Sequence, residues 1–188
     1  MGYGLRVPGF GFQPEMLRLR DPKLGTRSQE PGTPALVLSS FSSYHGPVTK
    51  RVLFICTGNF YRSRFAEAVF NHDATRKGLS WAAFSRGLAI HLAEGPISPF
   101  TQDALAVRQI DLRHTAANRE ALSTEDFWRS ERQIAMDRTE HYPMMQQRFP
   151  DWADKIHYWD VGDLPFRLPH DALPEIERRV TQLFEELS

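Results

Sequence analysis

An unbroken run of apolar residues at 52–55 (Val-Leu-Phe-Ile) is followed by a short polar loop and then by apolar residues at a different spacing. The run predicts a strand that is buried on both faces of a parallel sheet. The loop extends from Cys56 to Arg62, and Gly58 and Asn59 within it tolerate the backbone angles of a sharp turn. From Ser63 onward, apolar residues recur at helical spacing, at Phe65, Ala66, Val69 and Phe70. The pattern therefore predicts strand, loop and helix in immediate succession.

The remaining pattern alternates short apolar runs with segments of helical periodicity. It predicts strands over residues 80–84, 132–136 and 155–159, and helices over 100–109 and 138–149. The last helix is the clearest, with one apolar stripe at Ile176, Val180, Leu183, Phe184 and Leu187. Alternating strands and helices predict an α/β fold with a parallel sheet covered by helices on both faces. Ligands bind at the carboxyl ends of such strands, and four polar residues fall at or just past those ends: Cys56, Ser85, Asp137 and Asp163.

Composition narrows the class of protein. The chain has 188 residues, zero formal net charge and one cysteine. A neutral chain offers no global field for nucleic acid or a membrane surface, and no apolar run is long enough to span a bilayer. A single cysteine excludes a disulfide framework and is compatible with a reducing cytoplasm. The scattered histidines lack ligand spacing, so we expect no metal.

The first 48 residues differ from the rest. They hold seven of the twelve glycines and six of the thirteen prolines, a density that breaks helices and strands. We therefore expect a poorly ordered or docked extension over 1–48 and one domain over 49–188. An over-long gene start, with the real start nearer Met16, is an alternative. The segment lacks the basic-then-apolar pattern of a signal peptide.

The loop carries the candidate chemistry. Thiolate is the reactive form of cysteine, and a helix N-terminus and an arginine both favour it. Backbone amides from Thr57 to Arg62 can form a nest for a tetrahedral oxyanion, and the Arg62 fork can hold two oxygens at once. Ser63 can donate its hydroxyl to the sulfur. The alternative is a buried structural cysteine at a strand end.

These residues resemble a known family. The segment from Cys56 to Ser63, Cys-Thr-Gly-Asn-Phe-Tyr-Arg-Ser, is similar to the phosphate-binding loop of the low-molecular-weight protein tyrosine phosphatases and their arsenate reductase relatives. Further similarities occur in the same order along the chain as in that family: the segments 85–87, 95–99, 122–126 and 136–137, and His114. The resemblance covers about residues 50–187.

The resemblance implies a three-layer α/β/α fold with a central four-stranded parallel sheet. The phosphate-binding loop then lies between the first strand and the first helix. It also implies a cysteinyl-phosphate intermediate with no metal or other cofactor. Carried over, Cys56 is the nucleophile, Arg62 binds the phosphoryl oxygens, Asn59 shapes the loop and Ser63 supports the thiolate. The phosphate-binding residues are then Thr57, Gly58, Asn59, Phe60, Tyr61, Arg62 and Ser63.

The family also needs a late aspartate, usually followed by proline, as acid and then base. We expect Asp163 to fill this role, although leucine follows it. Asp160 is the rival; it directly follows a predicted strand, where a turn or cap role is expected. Asp137 is expected to cap the helix that begins at Arg138.

Three positions depart from the family pattern. Tyr61 stands where many members have a second cysteine, so the protective disulfide of those members is absent. Arg64 replaces a common proline and adds charge near the first helical turn. Phe166 follows the acid loop where eukaryotic members have adjacent tyrosines. With Phe60 it could line a slot for a flat ring, although aromatic residues are more often simply packed.

Three functions remain open from the sequence. The first is a phosphomonoester hydrolase of the protein-tyrosine-phosphatase type, acting on a phosphotyrosine protein or a phosphorylated small molecule in the cytoplasm. The second is an arsenate reductase, which with one cysteine would need an external thiol. The third is a phosphate- or phosphoprotein-binding module without turnover. The sequence carries no indication of oligomeric state.

Overall fold

The computed structural model describes residues 49–187. The extension expected over residues 1–48 lies outside the described residues. Within 49–187 the strands are β1 (Lys50–Cys56), β2 (Trp81–Gly87), β3 (Arg132–Ala135) and β4 (His157–Tyr158). They form one parallel sheet in the order β2-β1-β3-β4. The predicted four-stranded parallel sheet is confirmed, but β4 is shorter than the predicted strand 155–159.

The α-helices of the described region lie between these strands and after the last of them. They are α1 (Arg62–Lys77), α2 (Pro99–Val107), α3 (Thr124–Trp128), α4 (Arg138–Arg148), α5 (Pro150–Ala153) and α6 (Pro169–Leu187). Gly78 ends α1 with a φ of 63°, the left-handed conformation expected of a C-terminal glycine. Asp137 caps α4 by accepting the Glu140 amide at 2.8 Å, as predicted.

The central strand β1 separates two hydrophobic cores. Val52 and Phe54 pack on one side with the buried faces of α1 and α6, where the Phe70 and Phe184 rings stack at 4.6 Å. Leu53 and Ile55 point to the other side, among buried residues of α3, α4 and α5. Both faces of β1 are therefore fully covered, which explains its continuous apolar sequence. None of the helices within 49–187 has the length and apolar character needed to cross a membrane.

Candidate active site

The loop between β1 and α1 is held by its carbonyl groups. Four of its carbonyl oxygens accept hydrogen bonds from groups outside the loop or from the first turn of α1: those of Cys56, Thr57, Phe60 and Tyr61. Among the described residues, the amides of 58–61 donate to no protein acceptor. Buried backbone amides are almost always paired. Because the carbonyl groups of this loop are hydrogen-bonded and its amides are unpaired, the loop is suited to bind an anion.

Cys56 lies at the base of this loop and is only 3% exposed. Its sulfur is the atom that the loop surrounds. It is 2.9 Å from Oγ of Ser63. Asn59 donates from Nδ2 to the same Oγ at 3.3 Å, so the Ser63 proton is free to point at the sulfur. Asn59 has a φ of 49°, the left-handed conformation expected from its place in the turn.

A second layer of polar residues holds Asn59. Its Nδ2 donates to Oγ of Ser85 at 2.7 Å, and Ser85 in turn donates to Oε2 of Glu67 at 2.7 Å. Thr115 donates to the same oxygen at 2.7 Å. Burial raises the pKa of Glu67, and these two hydrogen bonds and Arg64 oppose the rise. Hydrogen-bond donation therefore runs from Asn59 in the loop through Ser85 to the buried carboxylate of Glu67.

Arg64 is buried, whereas the sequence suggested only added charge near the first turn of α1. Its guanidinium donates to Oγ1 of Thr115 at 2.7 Å and to three backbone oxygens, those of Pro96, Ala116 and Asn118. Its Nε lies 3.7 Å from Oε2 of Glu67. Arg64 therefore ties α1 to the loops on both sides of α2.

Arg62 is fully buried and faces two carboxylates. Its Nη1 donates to the Val161 carbonyl at 3.0 Å, and its Nη2 lies 2.7 Å from Asp163 and 2.8 Å from Glu140. Its Nε has no partner among the described residues. Burial alone would lower the pKa of Arg62. The negative groups around it outweigh burial and raise the pKa: Cys56, Asp163 and Glu140.

The two aspartates considered as the general acid, Asp163 and Asp160, lie in different places. Asp163 contacts Arg62 through Oδ2 and accepts the Leu164 amide at 2.8 Å through Oδ1. It also lines the cavity above Cys56. Asp160 is exposed and forms an isolated bridge with Asp137. Only Asp163 of these two is brought to the cysteine loop.

The cavity above Cys56 has a volume of about 460 Å³. Its walls combine the loop, the Asp163 segment and apolar residues, among them Phe60, Tyr61, Leu92, Phe100 and Leu164. Phe166 does not line this cavity and is 93% exposed, so it forms no slot with Phe60 above the cysteine. The Tyr61 hydroxyl is buried without a partner among the described residues, and burial raises its pKa to about 12.

Other candidate residues lie elsewhere. Arg86, from the segment 85–87 that is similar to the family, pairs with Glu120 at 3.0 Å and with Asp126 at 3.1 Å. His114 packs edge-on against His72 and belongs to no group of ligands, and residues 49–187 contain no cluster of side chains able to hold a metal ion.

Glu140 and Glu67 were not identified from the sequence. Their only sequence signal is an acidic residue inside a helical pattern, which normally indicates a solvated face.

Gly87 ends β2 against the cysteine loop. A Cβ at this position would lie 2.6 Å from Cγ2 of Ile90 and 2.9 Å from the backbone nitrogen of Asn59. The nitrogen cannot move without displacing the loop. We expect Gly87→Ala to lower the free energy of unfolding by about 1–3 kcal/mol, measured by chemical denaturation.

Gly162→Ala is the matched control. The nearest atoms to a Cβ at Gly162 are 3.9 Å away, which is ordinary contact. This variant should change the free energy of unfolding by less than about 1 kcal/mol. Equal stability of Gly87→Ala and the wild type would show that the contact with Asn59 does not constrain the loop.

Comparisons with known proteins agree with this geometry. The family model described as low molecular weight phosphotyrosine protein phosphatase matches residues 51–188. A protein-arginine-phosphatase of Bacillus subtilis (strain 168) is 30% identical over 105 residues, which are 56% of this chain and 67% of that protein. A low molecular weight phosphotyrosine protein phosphatase of Schizosaccharomyces pombe (strain 972 / ATCC 24843) is 39% identical over 92 residues, 46% of this chain and 56% of that protein.

Solved structures show the same fold. The crystal structure of a low molecular weight protein tyrosine phosphatase from T. tengcongensis is similar with a TM-score of 0.59 and 26% identity. The similarity covers 73% of this chain and 97% of that one. The sequence resemblance, the family match over more than half of the chain and the shared fold agree. The chain belongs to the low molecular weight phosphotyrosine protein phosphatase family.

Proposed function

We propose that this protein is a phosphomonoester hydrolase that works through a cysteinyl-phosphate intermediate. One observation carries the proposal: the Cys56 sulfur, the unpaired amides of 58–61 and the unpaired Nε of Arg62 all belong to one short loop. A dianionic phosphoryl group supplies the acceptors that these donors lack. The family to which the chain belongs consists of phosphatases, which agrees with this chemistry.

In the proposed first step the Cys56 sulfur attacks phosphorus and the bond from phosphorus to the leaving oxygen breaks. Asp163 gives its proton to that oxygen. The phosphoryl oxygens are held by Nε and Nη2 of Arg62 and by the loop amides of residues 57–63 (Thr57, Gly58, Asn59, Phe60, Tyr61, Arg62 and Ser63). Since Nη2 now contacts Asp163 at 2.7 Å, the arriving phosphoryl group would free the acid for its task.

In the proposed second step water attacks the phosphorus of the intermediate. Asp163 takes the proton from water, the bond between sulfur and phosphorus breaks, and inorganic phosphate and the Cys56 thiolate result. Ser63, 2.9 Å from the sulfur, stabilises the thiolate as it leaves. Every proton and electron pair is accounted for by the chain and water, so the reaction needs no cofactor.

The cavity walls support an aryl leaving group. Phe60, Phe100 and Leu164 provide apolar surface beside the loop, and a phenyl ring gains from burial against such surface. We therefore propose a phosphotyrosine protein or an aryl phosphate as the substrate. The relative from Bacillus subtilis named as a protein-arginine-phosphatase makes phosphoarginine the competing substrate to test.

Two other functions are less well supported. An arsenate reductase would need an external thiol, because the chain has a single cysteine. A binding module without turnover would not need a carboxylate at the arginine, whereas Asp163 contacts Arg62 directly. Arsenate-dependent oxidation of a small thiol would support the reductase, and phosphopeptide binding without phosphate release would support the module.

Turnover by the purified full-length protein tests the proposal. We expect hydrolysis of p-nitrophenyl phosphate in the presence of EDTA, with a bell-shaped pH profile and an acidic optimum. The optimum is acidic because Cys56 must be ionised while Asp163 is protonated. Acid quenching during turnover should trap phosphate on the protein. A phosphotyrosine peptide should be hydrolysed faster than a phosphoarginine peptide, and absence of all turnover would contradict the proposal.

We also propose that residues 49–188 form the catalytic domain and that residues 1–48 are an extension to it. The proposal rests on the family match to residues 51–188 and on the glycine and proline content of the first 48 residues. A cytoplasmic location is proposed because a single catalytic thiol is best kept reduced there.

A further inference from the structure

Glu140 places a second carboxylate against the arginine of the cysteine loop. Its Oε2 lies 2.8 Å from Nη2 of Arg62 and its Oε1 accepts the hydroxyl of Thr57. Glu140 comes from the first turn of α4, 78 residues away from Arg62 along the chain. The proposed mechanism does not use this carboxylate, so its position needs a separate explanation.

The neighbouring His141 holds Glu140 in its ionised form. His141 is fully buried, and its Nδ1 accepts the Asp137 amide at 3.0 Å, so the proton of the ring is on Nε2. That nitrogen lies 3.2 Å from Oγ1 of Thr57 and 3.5 Å from Oε1 of Glu140. Burial raises the pKa of Glu140. The hydrogen bond from His141, the charge of Arg62 and the Thr57 hydroxyl outweigh burial and lower the pKa.

The two carboxylates at Arg62 therefore differ in what they can do. Asp163 must carry a proton when the proposed acid step begins, so it can approach a phosphoryl group without repulsion. Glu140 keeps its negative charge throughout the working pH range. A phosphate ion in the loop would share Arg62 with this fixed negative charge, and two negative groups on one guanidinium repel each other strongly in a partly buried site.

We propose that Glu140 limits the affinity of the loop for inorganic phosphate, the reaction product, while its oxygens keep Arg62 in position. This inference rests on the proposed function, because it concerns the same anion site. Glu140 acts through Arg62 and is a positioning residue. The expected benefit is faster release of product and less inhibition by free phosphate.

Calorimetric titration with inorganic phosphate tests the inference on the full-length protein. Glu140→Gln keeps the shape and an acceptor oxygen but removes the charge, so the Kd for phosphate should fall by about three- to tenfold. Glu140→Met removes charge and oxygens together. It should also bind phosphate more tightly, but with a lower kcat because Arg62 loses a partner. If Glu140→Gln does not fold, tighter phosphate binding by Glu140→Met supports the inference, and unchanged or weaker binding overturns it.

Glu125→Gln is the matched control, because Glu125 is exposed on α3 and the same charge is removed there. It should change the Kd by less than about twofold. Unchanged or weaker phosphate binding in Glu140→Gln would overturn the inference, since a purely structural role predicts weakening. The ratio of the Kd values of variant and wild type is measured by calorimetry and does not depend on turnover. A failure of the proposed hydrolase activity would therefore be recognised separately, as absence of turnover by the wild type.

Discussion

Replacing Cys56 by serine should lower kcat for p-nitrophenyl phosphate by at least about 10⁴-fold, because the proposed nucleophile is lost. The serine hydroxyl is not ionised near neutral pH and is a weak nucleophile, whereas thiolate is the reactive form of cysteine. Cys56 is almost fully buried, and its sulfur lies 2.9 Å from Oγ of Ser63. Serine fits the same space, so the loss should be chemical and should not reflect unfolding.

The control for Cys56→Ser is phosphate binding. The loop amides and Arg62 are unchanged in this variant, so calorimetry should still detect inorganic phosphate. The thermal midpoint should remain within a few degrees of the wild type, since a buried thiol and a hydroxyl differ little in volume. Turnover that survives in Cys56→Ser would show that another group attacks phosphorus.

The cysteine loop could be predicted because its information is local. A buried strand, a turn at Gly58 and Asn59 and a helix from Arg62 are encoded within about twenty residues. The left-handed φ of Asn59 follows from the same turn. The parallel sheet was predictable for a similar reason, since alternating strand and helix patterns leave few topologies.

Most of the surroundings of the loop could not be predicted, because they join distant parts of the chain. Arg62 meets Glu140 and Asp163, which are 78 and 101 residues further along the chain. Charged residues are usually exposed, and nothing in the sequence marks Arg64 as the centre of a buried set of hydrogen bonds. The tertiary fold creates these partners: Asp163 was expected at the loop from the family resemblance, whereas Glu140 and the contacts of Arg64 are identified only by the structure.

The length of β4 could not be predicted from the sequence either. The apolar and aromatic residues of 155–159 predicted a five-residue strand, but only His157 and Tyr158 pair with β3. Edge strands pair on one side only, and side-chain pattern alone does not determine where that pairing stops. Trp159 is buried in the core beyond the strand, which accounts for its apolar character.

Asp163→Asn should lower kcat by about 10²- to 10³-fold, the usual contribution of a general acid. Asparagine keeps an oxygen that can accept from Nη2 of Arg62, so the position of the loop should not change. The loss should grow as the leaving group becomes a stronger base. The kcat for phenyl phosphate should therefore fall more than the kcat for p-nitrophenyl phosphate, because phenolate is the stronger base and depends more on protonation as it leaves.

The leaving-group dependence separates an acid from a structural residue. Asp160→Asn, the matched control on the same loop, should keep the wild-type kcat with both substrates, since Asp160 is exposed and is not among the groups that contact Arg62. If Asp163→Asn slows both substrates equally, Asp163 only positions Arg62. In that case the basic limb of the pH profile must come from another group. If the loss is larger for phenyl phosphate and the basic limb of the profile disappears, Asp163 delivers the proton.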